Sequence, residues 1–353
     1  MLKLLRSLVT RQPDTGTAPV RQPSAAPTTR VAAAGVADFD IVANLVDANG
    51  LPVLDWEAAQ AWASGIAAQG AQAQAWAACE LAWLEHLGAT LGPGYHVVQK
   101  GQIVLLSSLD ERVAAATVHF VDKTHQRIVR VLDGLARPAQ AHEQEILIVF
   151  DDDATYYRYL AHYYPGAGEF AGSGGVFINA GCAHFATVKA DLRAVEPVIA
   201  HELTHSCLSH LPLPAWLNEG LAVNTEQRLC PPPPNTFGNR PSPQQMHARH
   251  QQFWGAAEIQ AFWSGKSFLR ADEGNELSYD LARILVSQLA ADWARFCSFV
   301  LAADMADGGS AAAREHLGVP LEDLAAALLE RPPDARWAPD PQQWHGAPER
   351  GAF

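Results

Sequence analysis

The chain has 353 residues, 48% of them hydrophobic and 10 of them tryptophan, enough apolar mass for one large folded domain plus an accessory part. Its 38 acidic and 25 basic residues give a net charge of −13, which disfavours nucleic acid or an anionic membrane as a partner. No apolar run approaches the length needed to span a bilayer, so no transmembrane segment is expected.

Residues 1–11 carry positive charge but lack the apolar core of a secretory signal; a short amphipathic helix is the alternative. Residues 12–37 are rich in Pro, Thr, Ala and Gln, so residues 1–37 together read as a disordered N-terminal tail. Five scattered cysteines (Cys79, Cys182, Cys207, Cys230 and Cys297) have no metal-binding spacing and fit a reducing, cytoplasmic setting. Residues 38–93 form a helical accessory segment, with an Ala-rich helical pair over 56–87 that breaks near Gly70. This pair either caps the main domain or docks a protein partner.

Residues 95–107 read as a strand or hairpin and residues 109–135 as a long helix. The apolar run Glu145-Ile146-Leu147-Ile148-Val149-Phe150 predicts a buried strand. Asp151-Asp152-Asp153 then reads as an N-cap with favourable charge at a helix start, in preference to a divalent-cation site. The glycine-rich stretch 166–175 lacks the Gly-Lys-Ser/Thr ending of a phosphate loop, so nucleotide binding is not expected. It leads into strand candidates at 176–178 and 185–188.

His201-Glu202-Leu203-Thr204-His205 follows. Side chains four apart on an α-helix share a face, so His201 and His205 can bind one tetrahedral metal ion. Glu202, one step from His201, is placed to hold a water rather than the metal. The flanks predict a helix starting near Ala194, with Pro197 in its first turn. Pro212 and Pro214 end that helix near Ser209, and Pro214 opens a second one containing Glu219. His205 lies about 6 Å from the turn along the first helix and Glu219 about 7.5 Å along the second, so the two can meet at one depth. Two histidines and one glutamate leave a fourth position open, as a catalytic zinc site requires.

With these residues in view the chain resembles the gluzincin-type zinc peptidases, specifically the peptidase MA-like domains. Their hallmark is a HELTH helix followed by a WLxEGLA helix. Here the counterparts are His201-Glu202-Leu203-Thr204-His205 and Trp216-Leu217-Asn218-Glu219-Gly220-Leu221-Ala222. The resemblance implies one Zn²⁺ per chain held by His201, His205 and Glu219, with Glu202 as general base. It also implies a peptide or protein substrate. Metzincins are excluded, because they need Gly and His where this chain has Leu208 and Leu211. The substrate-amine element of the aminopeptidase branch is absent, and His210 reads as a surface residue or one supporting the ligands.

In MA-like domains a strand before the HExxH helix forms the upper edge of the cleft; Phe185 to Val188 is the matching candidate, able to take an extended peptide as an added strand. A tyrosine looking into the site is also implied, and Tyr279 corresponds to it. Tyr279 is thus either a donor to the oxyanion or a residue packed under the zinc helix. Asn224 and Glu226 are both in reach to orient the imidazoles.

The proline-rich stretch 230–243 reads as an insertion bordering the cleft, and Phe253-Trp254 and Phe262-Trp263 as core. The expected fold is α+β: a zincin-like catalytic domain over 94–332 with a small sheet, the HExxH helix and a mostly helical C-terminal half, then a tail over 333–353. Two alternatives to the zinc metallopeptidase stay open. One is a non-catalytic scaffold stapled by zinc; the other is a zinc amidase acting on a non-protein amide.

Overall fold

Strand residues that are apolar on both faces set the centre of the molecule. A computed structural model describes residues 20–21, 26–138, 143–164, 175–189, 192–231, 241–332 and 334–344. Among the described residues ten strands occur in chain order: β1 (Val20–Arg21), β2 (Arg30–Val31), β3 (Phe39–Asp40), β4 (Leu45–Ala48), β5 (Leu51–Leu54), β6 (His96–Lys100), β7 (Ile103–Ser107), β8 (Glu145–Phe150), β9 (Gly175–Ala180) and β10 (Cys182–Val188). Every described strand precedes residue 189, and the described elements after it are helical. That segregation is the α+β organisation expected.

Six strands form one mixed sheet in the order β1-β6-β7-β8-β10-β9. Strand β8 lies between β7 and β10, parallel to both, while β10 pairs antiparallel with β9. A strand interior to such a sheet buries both faces, which is why Glu145–Phe150 reads as a continuous apolar run. Leu147, Val149 and Phe185 face one core, and Ile146, Ile148, Phe150 and Ala186 face another. This order corrects the expected cleft edge. Phe185 to Val188 belong to β10, which is paired on both sides, and β9 is the edge on that side of the sheet among the described residues. Both strands are apolar, so composition does not distinguish the inner one from the outer.

Helices α1 (Trp56–Ser64), α2 (Gln69–Leu91) and α4 (Asp153–Tyr163) share the second core with β4 and β5. Trp83 is fully buried there and donates from Nε1 to the Pro52 carbonyl at 3.0 Å. The break between α1 and α2 falls before Gln69, so Gly70 sits inside α2 rather than at the break. Asp152 caps α4 by accepting from the Thr155 N–H at 2.8 Å, and Asp151 pairs with Lys189 at 3.1 Å. Asp152 therefore serves the helix start, as expected, while Asp151 forms an ion pair.

Part of the expected tail is ordered. Residues 26–37 include β2, which pairs with β3, and Val31 is buried in the second core. The Thr28 N–H donates to Glu85 at 2.8 Å. A few apolar anchors outweigh the average composition of that stretch. The glycine-rich run 166–174 and most of the proline-rich insertion, 232–240, lie outside the described residues.

The first core is covered by α3 (Glu111–Val131), α5 (Leu192–Leu208), α6 (Ala215–Leu229), α7 (Pro243–Phe253), α8 (Ala256–Trp263), α9 (Glu273–Leu289) and α10 (Trp293–Ala302). Trp254, Phe262 and Trp263 are buried in it, in line with their reading as core. The segment after 333 docks on α8: Trp263 Nε1 donates to the Trp337 carbonyl at 2.9 Å, and Gln260 donates to the Arg336 and Ala338 carbonyls. All five cysteines are free, and no helix among the described residues is long and apolar enough to cross a membrane.

Helix α6 packs tightly against α9 at Gly220. A Cβ at Gly220 would stand 2.6 Å from the Ala282 carbonyl oxygen and 2.5 Å from Val286 Cγ2, so only glycine allows this approach. Gly220→Ala is expected to lower unfolding stability by about 1–3 kcal/mol, the usual range for overpacking a tight core. Urea denaturation checks this, with the midpoint shifted and the slope unchanged.

Candidate metal centre

Helix α5 begins at Leu192, two residues earlier than expected, so Pro197 lies inside the helix and not in its first turn. The proline lacks an N–H and so removes one ladder bond near the helix start, leaving the segment from Val198 onward regular. Its core side presents Ile199, Leu203 and Cys207 to the apolar interior. His201, Glu202 and His205 are left for another side. After α5 ends at Leu208, the prolines carry the chain through a short turn, and Pro214 is the residue just before α6 rather than its first residue.

The helix pair brings the expected ligands together. His201 Nε2 lies 3.1 Å from Glu219 Oε2, and His205 Nε2 lies 3.6 Å from the same oxygen. One ligand atom from each of the three residues falls within 4.8 Å of the others. The imidazole rings are 4.9 Å apart between centroids. His205 and Glu219 are buried, and His201 is partly exposed.

Glu202 is buried beside this group but is not part of it. Its Oε2 accepts the Phe177 backbone N–H at 2.8 Å, which ties α5 to the edge strand β9. The choice between Asn224 and Glu226 is settled by contacts. Glu226 Oε2 meets His201 Nδ1 at 3.2 Å, whereas Asn224 donates to the Gly220 and Arg283 carbonyls at 2.7 and 2.9 Å. Asn224 therefore fastens α6 to α9, and Glu226 orients the imidazole.

Tyr279, on α9, has its ring 6.3 Å from that of His201 and packs edge-on against Phe268 at 5.1 Å. It thus stands beside the histidines while packing under them. His210 is exposed and takes no part. The Phe177 N–H is a functional group that no side-chain pattern announces.

Electrostatics explain what the cluster demands. Burial alone would raise the Glu219 carboxyl, but the adjacent His205 and His201 override it and hold it down at about 2. Burial alone would depress both imidazoles, yet Glu219 overrides it for each, joined at His201 by Glu226, so both are raised. Burial, with Glu219 adding to it, raises Glu202 against the pull of the two histidines. Burial and the charges of Glu219 and Glu202 push the Tyr279 phenol well above its ordinary value, so it remains a neutral O–H donor.

The ion pairs of Glu219 among the described residues are with these two histidines alone. A buried pair of carboxylates beside two imidazoles is short of positive charge, and either protons or a metal ion supply it. Two imidazole nitrogens and one carboxylate oxygen form a donor set suited to a divalent transition ion. The residues present therefore fit such an ion.

Comparison with protein families, with curated proteins and with solved structures finds no match to this chain. The functional reading consequently rests on the residues themselves.

Protons held on His201 and His205 must leave before their Nε2 atoms bind a metal ion. Because both pKa values are raised, metal affinity is expected to fall as pH drops through them and to rise above them. Calorimetric titrations in buffers of different ionisation enthalpy should record proton release on binding. Glu226→Gln is expected to weaken metal affinity by about 10–100-fold, the usual cost of losing such an orienting partner, with the far-ultraviolet circular dichroism unchanged.

Proposed function

We propose that the chain is a zinc-dependent metallopeptidase that hydrolyses peptide bonds in an extended substrate. The observation carrying this reading is the convergence of His201, His205 and Glu219, with the Glu202 carboxylate buried alongside and fixed by a backbone N–H. A merely structural metal site has no use for Glu202. The gluzincin resemblance of the two helices supports the same assignment of roles.

His201, His205 and Glu219 would hold the zinc ion, which would supply Lewis acidity and lower the pKa of water. The residues of the chain perform the remaining tasks. Glu226 fixes the His201 ring so that Nε2 faces Glu219. Glu202, with Oε2 committed to Phe177, takes the proton of the attacking water on its other oxygen and passes it to the leaving nitrogen. Burial raises its pKa above the ordinary carboxyl value. Tyr279 donates its hydroxyl proton in a hydrogen bond to the developing oxyanion. Strand β9, at one edge of the sheet, is placed to take an extended peptide as an added strand, with its Phe177 N–H kept by Glu202.

Glu202→Gln should lower kcat by about 10²–10⁴-fold, the range for loss of a general base, while one zinc per chain is retained. Tyr279→Phe should cost about 10²–10³-fold in kcat with little change in metal content. Cleavage of a peptide library by the wild type and both variants, beside metal analysis, checks these values. Wild-type protein that holds zinc but cleaves nothing, and is unaffected by Glu202→Gln, would favour the zinc-stapled scaffold.

A further inference from the structure

A pocket of about 600 Å³ opens between α2, the start of β8, the β9–β10 hairpin and the last turn of α5. Its size is within the range of about 300–1,000 Å³ usual for ligand sites. Three carboxyl groups line it, from Glu80, Glu143 and Glu145, along with the indole of Trp76. The one arginine at the pocket, Arg137, pairs with Glu143 at 2.8 Å. Among the described residues neither Glu80 nor Glu145 forms an ion pair with it, although its charge reaches Glu145.

Glu80 is the sharper case, being only 5% exposed. Its Oε1 accepts Trp76 Nε1 at 2.8 Å and the Cys182 thiol at 3.5 Å, while Oε2 is buried with no partner among the described residues. Both Glu145 oxygens take the Ser206 hydroxyl at 2.9 Å. The His125 Nε2 lies 3.6 Å from Glu145, but burial lowers the His125 pKa and favours the neutral ring. Burial, with the nearby Glu143 charge adding to it, pushes Glu80 and Glu145 each up to about 7, against the hydrogen bonds each accepts and, at Glu145, the pull of Arg137. Among the described residues these carboxyls do not gather closely enough to share one metal ion. The pocket has room for an organic cation, and the Trp76 indole offers it an aromatic wall.

The pocket also lies in register with the proposed metal centre. Glu202 and Ser206 are spaced i and i+4 on α5, Ser209 follows just past the helix end, and the two serines line the pocket. Ser206 is about 6 Å along the axis from Glu202. On β9, Phe177 holds Glu202, and Asn179, two residues on and about 7 Å away, lines the pocket. A peptide extended along β9 would carry a side chain into the pocket within a residue or two of Glu202.

We propose that this pocket selects a basic side chain, lysine or arginine, of a substrate bound along β9, with Glu80 and Glu145 as its recognition residues. This selection rests on the peptidase reading; the binding of the cation does not. Calorimetry with acetyl-arginine amide and its uncharged isostere acetyl-citrulline amide tests it directly. The arginine compound should bind at least ~10-fold more tightly, a factor typical of a partly buried charge pair. Glu80→Gln and Glu145→Gln should each erode that preference and the double variant abolish it. Both replacements mimic the protonated carboxyl, and their thermal melts verify folding. Glu219→Ala, which strips a metal ligand, should leave arginine binding within about twofold, since the pocket is separate.

Equal binding of the two amides, or a preference that survives the double variant, would overturn the proposal. Library cleavage without preference for basic residues would also overturn it while the peptidase reading stands. Arginine-selective binding without cleavage of any peptide would support the cation pocket and count against the peptidase reading alone.

Discussion

The Glu219 carboxylate, held between two imidazoles in a buried site, is the interaction on which the rest of the metal centre depends. Its Oε2 lies within 3.6 Å of both Nε2 atoms, and the carboxyl is nearly inaccessible. Removing one partner from such a cluster leaves a buried charge uncompensated, which is among the costlier single defects a fold can carry. The surrounding helices exist in a form that avoids it. Gly220 lets α6 lie against the backbone of α9, Asn224 bonds across to the Arg283 carbonyl, and Glu226 steadies His201 from behind.

The sheet contributes through one contact. The Phe177 N–H on β9 binds Glu202, so the position of the proposed base is set jointly by a helix and by the strand proposed to bind substrate. The same strand leads to the pocket of Glu80 and Glu145. Chemistry and selection would then be referred to a single backbone, and a peptide aligned on β9 is aligned for both. The accessory helix α2 matters here, because it supplies Trp76 and Glu80 to the pocket wall.

What was legible in the sequence was local. The i, i+4 spacing of His201 and His205, the prolines at 212 and 214, and the rise along each helix together bring Glu219 to the right depth without knowledge of the remaining fold. Asp152 was likewise readable as a cap. Strand order was not, because β9 and β10 are both apolar and only long-range pairing decides which lies inside. Pro197 misplaced the start of α5, since the rule that seats proline in the first turn is a preference that neighbouring packing can override. Composition averaged over residues 12–37 concealed the anchor Val31. A signal was also passed over at Asn49-Gly50, a two-residue positive-φ turn between apolar strands and a strong mark of a hairpin. The Glu80–Glu145 pocket joins residues far apart in the chain, and no motif connects them.

The central claim is that three side chains form one metal site. Metal analysis of wild-type protein purified without added metal, beside Glu219→Ala, tests it most directly. The account predicts one equivalent of zinc in the wild type and its reduction or loss in the variant. A folded wild type that carries no zinc and cannot be reconstituted with it would contradict the account.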